Sequence, residues 1–132
     1  MNNKLNCIML IDDDSDDNFF HETAIMETNF PGVVVVQDSG IKALDYIKSK
    51  SLPCGDLIFL DINMPRMSGW DFLNEYNLLN NGNEKKPIII MLSTSYNNDD
   101  IAKANENILV SEYITKPLTK EIFGTIIEKY FK

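Results

Sequence analysis

The sequence is poor in the side chains that bind soft metals. It holds one histidine, His21, and two cysteines, Cys7 and Cys54, with no CxxC spacing, so zinc has no ligand cluster. Basic residues are scarce as well: twelve stand against twenty acidic ones, a net charge of −8. Such a surface repels phosphate backbones and anionic membrane faces, which argues against nucleic acid or a membrane as a direct partner. Long apolar runs are missing; "PIIIML" at 87–92 is far too short to span a bilayer, and no targeting peptide is visible. Cys7 lies in an apolar run and Cys54 in a Pro-Cys-Gly turn, and with no secretory signal they read as two reduced thiols of a cytoplasmic protein. His21 alone reads as a surface or packing residue.

The 132 residues, 44% of them hydrophobic, suffice for one core and are too few for a comfortable second one, so residues 1–132 read as a single domain. Five short apolar runs punctuate the chain: "CIMLI" at 7–11, "VVVV" at 33–36, "LIFL" at 57–60, "IIIML" at 88–92 and "VSEYI" at 110–114. The first four lack polar alternation, the pattern of strands buried on both faces of a parallel sheet.

Helix signals fill the intervals. Asp14 to Asp17 place negative charge at a helix start, and Phe19, Phe20, Thr23, Ala24 and Met26 follow near helical spacing. Ser39 can cap a second helix with Ala43, Leu44 and Ile47 as its apolar face. Ser68 and Asp71 have capping-box spacing ahead of Trp70, Leu73 and Tyr76. "NNDDIAKAN" predicts a short fourth helix. Thr119 can cap the last one, with Leu118 and Phe123 as a hydrophobic staple and Ile122, Ile126, Ile127 and Tyr130 facing inward. Alternating strands and helices with short connections predict a three-layer α/β fold with right-handed crossovers. Loops 29–32 and 79–86, rich in turn formers, read as loose.

In an open α/β sheet, the functional crevice lies beyond the carboxyl ends of the strands. There the sequence puts Asp12, Asp13 and Asp14, then Asp61, then Ser93, Thr94 and Ser95, then Thr115, Lys116 and Pro117. Two unit charges about 4 Å apart interact with roughly 4 kcal/mol at an effective dielectric of 20, so gathered carboxylates require a positive partner. Oxygen ligands favour a hard cation, and a site with few carboxylates and room for water and a phosphate oxygen suits Mg²⁺ better than Ca²⁺.

Four segments, "LIDDDSDDN", "LIFLDINMPRMSGW", "IIIMLSTS" and "YITKPLT", stand in this order. Alone, each is weak: the first would be an acidic helix start and the second a turn. Together they make residues 5–131 resemble the receiver domain of two-component response regulators. The resemblance implies a doubly wound, flavodoxin-like (βα)5 fold with a five-stranded parallel sheet in order 2-1-3-4-5. It implies Asp61 as phospho-acceptor, fed by a sensor histidine kinase or a histidine phosphotransfer protein. It further implies Mg²⁺ on Asp13 and Asp61, on Asp12 through water, and on the backbone carbonyl of Asn63. Lys116 would meet a phosphoryl oxygen, with a Lys116–Pro117 bond that is commonly cis in the family. Ser93 would donate its hydroxyl to another oxygen, and Tyr113 would be its switch partner on an output surface of helix four, strand five and helix five.

The segment before the last strand, "NENILVSEYITKP", lacks the family's small-residue run, so Glu106, Asn107 and Glu112 mark an unusual output surface with an unidentified downstream protein. Asn63 and Ser95, both small and polar, imply moderate hydrolysis of the phosphoryl group. The start at Met1 and the short tail favour a stand-alone regulator. Two alternatives use the same elements: a small Mg²⁺-dependent hydrolase with Asp61 as nucleophile, and a flavodoxin-like electron carrier.

Overall fold

A computed structural model describes residues 5–49, 56–79, 87–94 and 97–131. The elements alternate strictly: β1 (Cys7–Ile11), α1 (Ser15–Met26), β2 (Val33–Gln37), α2 (Gly40–Ser49), β3 (Leu57–Leu60), α3 (Gly69–Leu79), β4 (Ile88–Ser93), α4 (Asn98–Glu106), β5 (Glu112–Thr115) and α5 (Lys120–Tyr130). The strands form one parallel sheet in the order β2-β1-β3-β4-β5, the doubly wound arrangement expected.

Side chains alternate across a strand, and the core splits accordingly. Met9 and Ile11 of β1, Ile58 and Leu60 of β3, and Ile89 and Met91 of β4 pack with Ala43, Phe72, Leu73 and Ala104 of α2, α3 and α4. Ile8, Leu10, Leu57, Phe59, Ile90 and Leu92 pack on the other face with Ile25, Phe123 and Ile126 of α1 and α5. Phe59, Phe72 and Phe123 are fully buried, each contributing about 1.5–3 kcal/mol on transfer from water.

The predicted caps form. Lys42 N–H donates to Ser39 Oγ at 3.0 Å, Ser68 and Asp71 exchange reciprocal bonds of 3.1 Å, and Ile122 N–H donates to Thr119 Oγ1. Leu118 and Phe123 are both buried, as the staple requires.

Several expectations are corrected. β2 is not buried on both faces: it is an edge strand, and Val33 is 59% exposed. On α1 the expected apolar stripe holds only at Ala24. Phe19, Phe20 and Met26 are exposed, and the inward face carries Asn18, His21, Ala24 and Ile25. Loop 29–32 is anchored, not loose: Phe30 is buried in the core, and a Cβ on Gly32 would lie 2.3 Å from the Asn6 carbonyl oxygen. Of loop 79–86, residues 80–86 lie outside the described residues. Cys7 is disulfide-bonded rather than a reduced thiol. Its backbone N–H and that of Asn6 donate to Asp56 Oδ2, which brings the start of β1 beside the segment entering β3. Cys54, the chain's other cysteine, is two residues from Asp56 in sequence and lies outside the described residues. Among the described residues, no helix is long and apolar enough to cross a membrane.

Candidate functional site

The site grows out of the sheet's hydrogen-bond ladder. The residues that follow β1, β3 and β5 each extend the ladder by one backbone bond. Asp12 N–H donates to the Gln37 carbonyl (3.1 Å), Asp61 N–H to the Ile11 carbonyl (2.9 Å), and Lys116 N–H to the Ser93 carbonyl (2.9 Å). The backbone at three strand ends is thereby held by the sheet's own ladder.

Carboxylate oxygens of Asp12, Asp13 and Asp61 all lie within 4.8 Å of one another; Asp12 and Asp61 are buried and Asp13 is exposed. The donor set is all oxygen, with one open side, which fits a hard divalent cation that keeps some of its waters. Asp12 is already committed to protein partners. Its Oδ1 accepts from Asp14 N–H at 3.0 Å, its Oδ2 meets Lys116 Nζ at 2.7 Å, and its carbonyl accepts from Asn18 Nδ2. Asn63 is exposed in the loop two residues beyond Asp61.

Lys116 supplies the positive charge. Its side chain is 8% exposed, and Nζ stands 2.7 Å from Asp12, 2.7 Å from Asp17 and 3.4 Å from Asp61. Burial works against its charge, but hydrogen bonds to Asp12 and Asp17 and the field of Asp61 outweigh that and hold it protonated above the usual lysine range. Burial, then the neighbouring Asp12 carboxylate, push Asp61 up to about 6, against the opposing pull of Lys116. Burial also raises Asp12, with Lys116 opposing. The Lys116–Pro117 bond is cis.

Ser93 ends β4 and is fully buried. Thr94 beside it is exposed, and Ser95 lies outside the described residues. Tyr113 on β5 is half-buried against the α2–α3–α4 side of the core.

Three contributors, Asp17, Gly69 and Asn18, have site roles that no local sequence signal marks. Asp17 reads in the sequence as a helix-start charge, yet its carboxylate accepts from Lys116 Nζ across 99 residues of chain. Gly69 opens α3 directly against the Asp61 main chain: a Cβ there would sit 2.5 Å from the Asp61 carbonyl oxygen. The "SGW" turn carries that glycine, but only the fold reveals the close approach. Asn18 and His21 line a cavity of about 10 Å³ behind Asp12 and Asp61, and among the described residues Asn18 Oδ1 has no hydrogen-bond partner. That volume holds roughly one water. His21 is the packing residue expected, and burial, then the charge of Lys116, lower it to about 4.

The chain is similar to known proteins in sequence and fold. Response regulator Rcp1 from Synechocystis is 25% identical over 124 residues, covering 90% of this chain and 82% of Rcp1; a crystal structure of its Mn²⁺-bound form superposes with a TM-score of 0.76, covering 96% of this chain and 94% of that one. A two-component response regulator from Cytophaga hutchinsonii is 30% identical, with a TM-score of 0.82 and coverage of 96% and 97%. The phosphorylated cyanobacterial phytochrome response regulator RcpA is 28% identical, with a TM-score of 0.79 and coverage of 96% and 94%. These relatives favour neither the hydrolase nor the electron carrier. Receiver domains bind a divalent metal and interact with histidine kinases, acting in signalling rather than as conventional enzymes. Residues 8–128 match the response regulator receiver domain, and the chain belongs to that family of phospho-accepting signalling proteins.

Proposed function

We propose that the whole chain works as a single receiver in which Asp61 accepts a phosphoryl group from the phosphohistidine of a sensor kinase or phosphotransfer protein. A carboxylate oxygen of Asp61 forms the new P–O bond as the donor's P–N bond breaks, and the imidazole nitrogen keeps the electron pair and takes a proton from solvent. The observation that carries this reading is the meeting of Asp12, Asp13 and Asp61 within 4.8 Å beside Lys116. Phosphoryl transfer needs positioning and charge neutralisation more than covalent help.

Mg²⁺ is the cation we assign, supplying neutralisation of the carboxylates and of the transferred oxygens. Asp13 and Asp61 would hold it directly, Asn63 through its carbonyl, and Asp12 through water, because both Asp12 oxygens already have protein partners. Lys116 would turn to a phosphoryl oxygen and Ser93 would donate its hydroxyl to another. Tyr113 would carry the change to the α4–β5–α5 surface, where Glu112 already accepts from Lys129 Nζ (3.1 Å) and the Tyr130 hydroxyl (2.8 Å). An unidentified downstream protein would read that surface, in the cytoplasm, and the receiver would catalyse only its own phosphorylation and dephosphorylation. Asn63 and Ser95 favour moderate hydrolysis.

The test is intact mass after incubation with Mg²⁺ and acetyl phosphate or phosphoramidate. Wild type should gain one phosphoryl group and Asp61→Asn none at that site. No adduct on wild type ends the proposal.

A further inference from the structure

We propose that Asp17 is a positioning residue that competes with the phosphoryl group for Lys116, so that phosphorylation opens the Lys116–Asp17 ion pair on the first turn of α1. This rests on the reading of Asp61 as acceptor. An ammonium has three N–H donors, and among the described residues Asp12, Asp17 and Asp61 are the three carboxylates within 3.4 Å of Lys116 Nζ. A phosphoryl oxygen can therefore bind Lys116 only by displacing one of them.

The partners are unequal. Asp12 is 6% exposed at its side chain and tied at its other oxygen to Asp14 N–H, so losing Lys116 would strand a buried charge. Asp61 carries the phosphoryl group and stays beside the lysine. Asp17 has a side chain that is 37% exposed and can exchange the ammonium for water. Its backbone N–H is held separately by Asp14 Oδ1 at 3.1 Å, so the carboxylate can swing away without unwinding the helix. Asp17 is absent from the group of acids that could hold a metal; its influence on the site passes through Lys116. The pair thus draws the lysine toward α1 and away from the acceptor, weakening retention of the phosphoryl group.

Wild type, Asp17→Asn and Asp17→Glu are titrated with Mg²⁺ alone and then with beryllofluoride at saturating Mg²⁺, following the fluorescence of Trp70, the only tryptophan. Thermal unfolding of each variant checks the fold. Asp17→Asn should bind beryllofluoride about threefold to tenfold more tightly, the scale of one partly exposed charge-assisted contact, and lose its phosphoryl group more slowly. Its Mg²⁺ affinity should stay within about twofold, since Asp17 is outside the metal group, and Asp17→Glu should stay near wild type because the charge is kept. If wild type binds beryllofluoride and Asp17→Asn binds it equally or less tightly, the competition is refuted. A Mg²⁺ shift as large as the beryllofluoride shift also refutes it, because Asp17 would then act on the cation. If wild type takes neither beryllofluoride nor a phosphoryl group, the acceptor reading itself fails and the competition with it.

Discussion

Gly69 and the Asp61 carbonyl are in such close approach that even a methyl group would not fit between them: an added Cβ would lie 2.5 Å from the oxygen and 3.0 Å from Ile62 Cα. Both obstacles are backbone, so the strain has no flexible side chain to absorb it. The Gly69 N–H also donates to the Ile62 carbonyl at 2.8 Å, pinning the start of α3 under the acceptor. Gly69→Ala should cost about 2–4 kcal/mol in urea unfolding. It should also slow phosphoryl uptake by about tenfold or more through misplacement of Asp61. Wild-type behaviour in both measurements would show that the loop yields freely.

Lys116 neutralises two buried carboxylates at once. Removing it as Lys116→Ala leaves Asp12 and Asp61 facing each other without a cation, and breaking a buried pair from one side costs about 3 kcal/mol or more. Mg²⁺ can replace the missing charge. The variant should melt well below wild type in a chelator, recover more than wild type does when Mg²⁺ is added, and retain some phosphorylation. An equal Mg²⁺ response in the two proteins would contradict this account.

The legibility of the chain follows from how local each signal is. β1 and β3 were readable to the residue because an uninterrupted apolar run is its own boundary marker, and the caps at Ser39, Ser68 and Thr119 need only three residues of context. Asp12, Asp13, Asp61 and Lys116 could be gathered once the strand ends were known. What failed was non-local. Four valines look the same at the centre or the edge of a sheet, and strand order decided that. α1 misled because its inward face is polar where it lines the acid site: Asn18 and His21 take buried positions, while Phe19, at 73% exposure, does not. Local pattern rules fail where function claims the interior. The Asp17–Lys116 pair joins residues at opposite ends of the chain, which no periodicity encodes.

The acceptor should be a source of instability. Between pH 3.8 and about 6, the folded protein keeps a proton on Asp61 that the unfolded chain releases, so stability falls as pH rises through this window and the cost is complete above it. In metal-free buffer at pH 8, Asp61→Asn should therefore be more stable than wild type by up to about 3 kcal/mol. Saturating Mg²⁺ should narrow that gap by stabilising the wild type. Chemical denaturation with and without chelator measures both, and a variant less stable than wild type in chelator would overturn the argument.

His21 works in the opposite sense over nearly the same range. Its lowered value of about 4 means that, below pH 6.5, the unfolded chain takes up a proton that the folded protein refuses. Acid therefore favours unfolding, by up to about 3 kcal/mol at pH 4. In wild type, Asp61 offsets much of this slope, because its own proton stabilises the fold as pH drops. Asp61→Asn removes the offset and should lose stability more steeply than wild type between pH 6.5 and 4. Adding His21→Gln should flatten the curve again, since no imidazole remains to be charged on unfolding. The comparison is between slopes within one background, so other carboxylates cancel. Parallel curves for Asp61→Asn and the double variant would mean that His21 is not the buried neutral base of this fold.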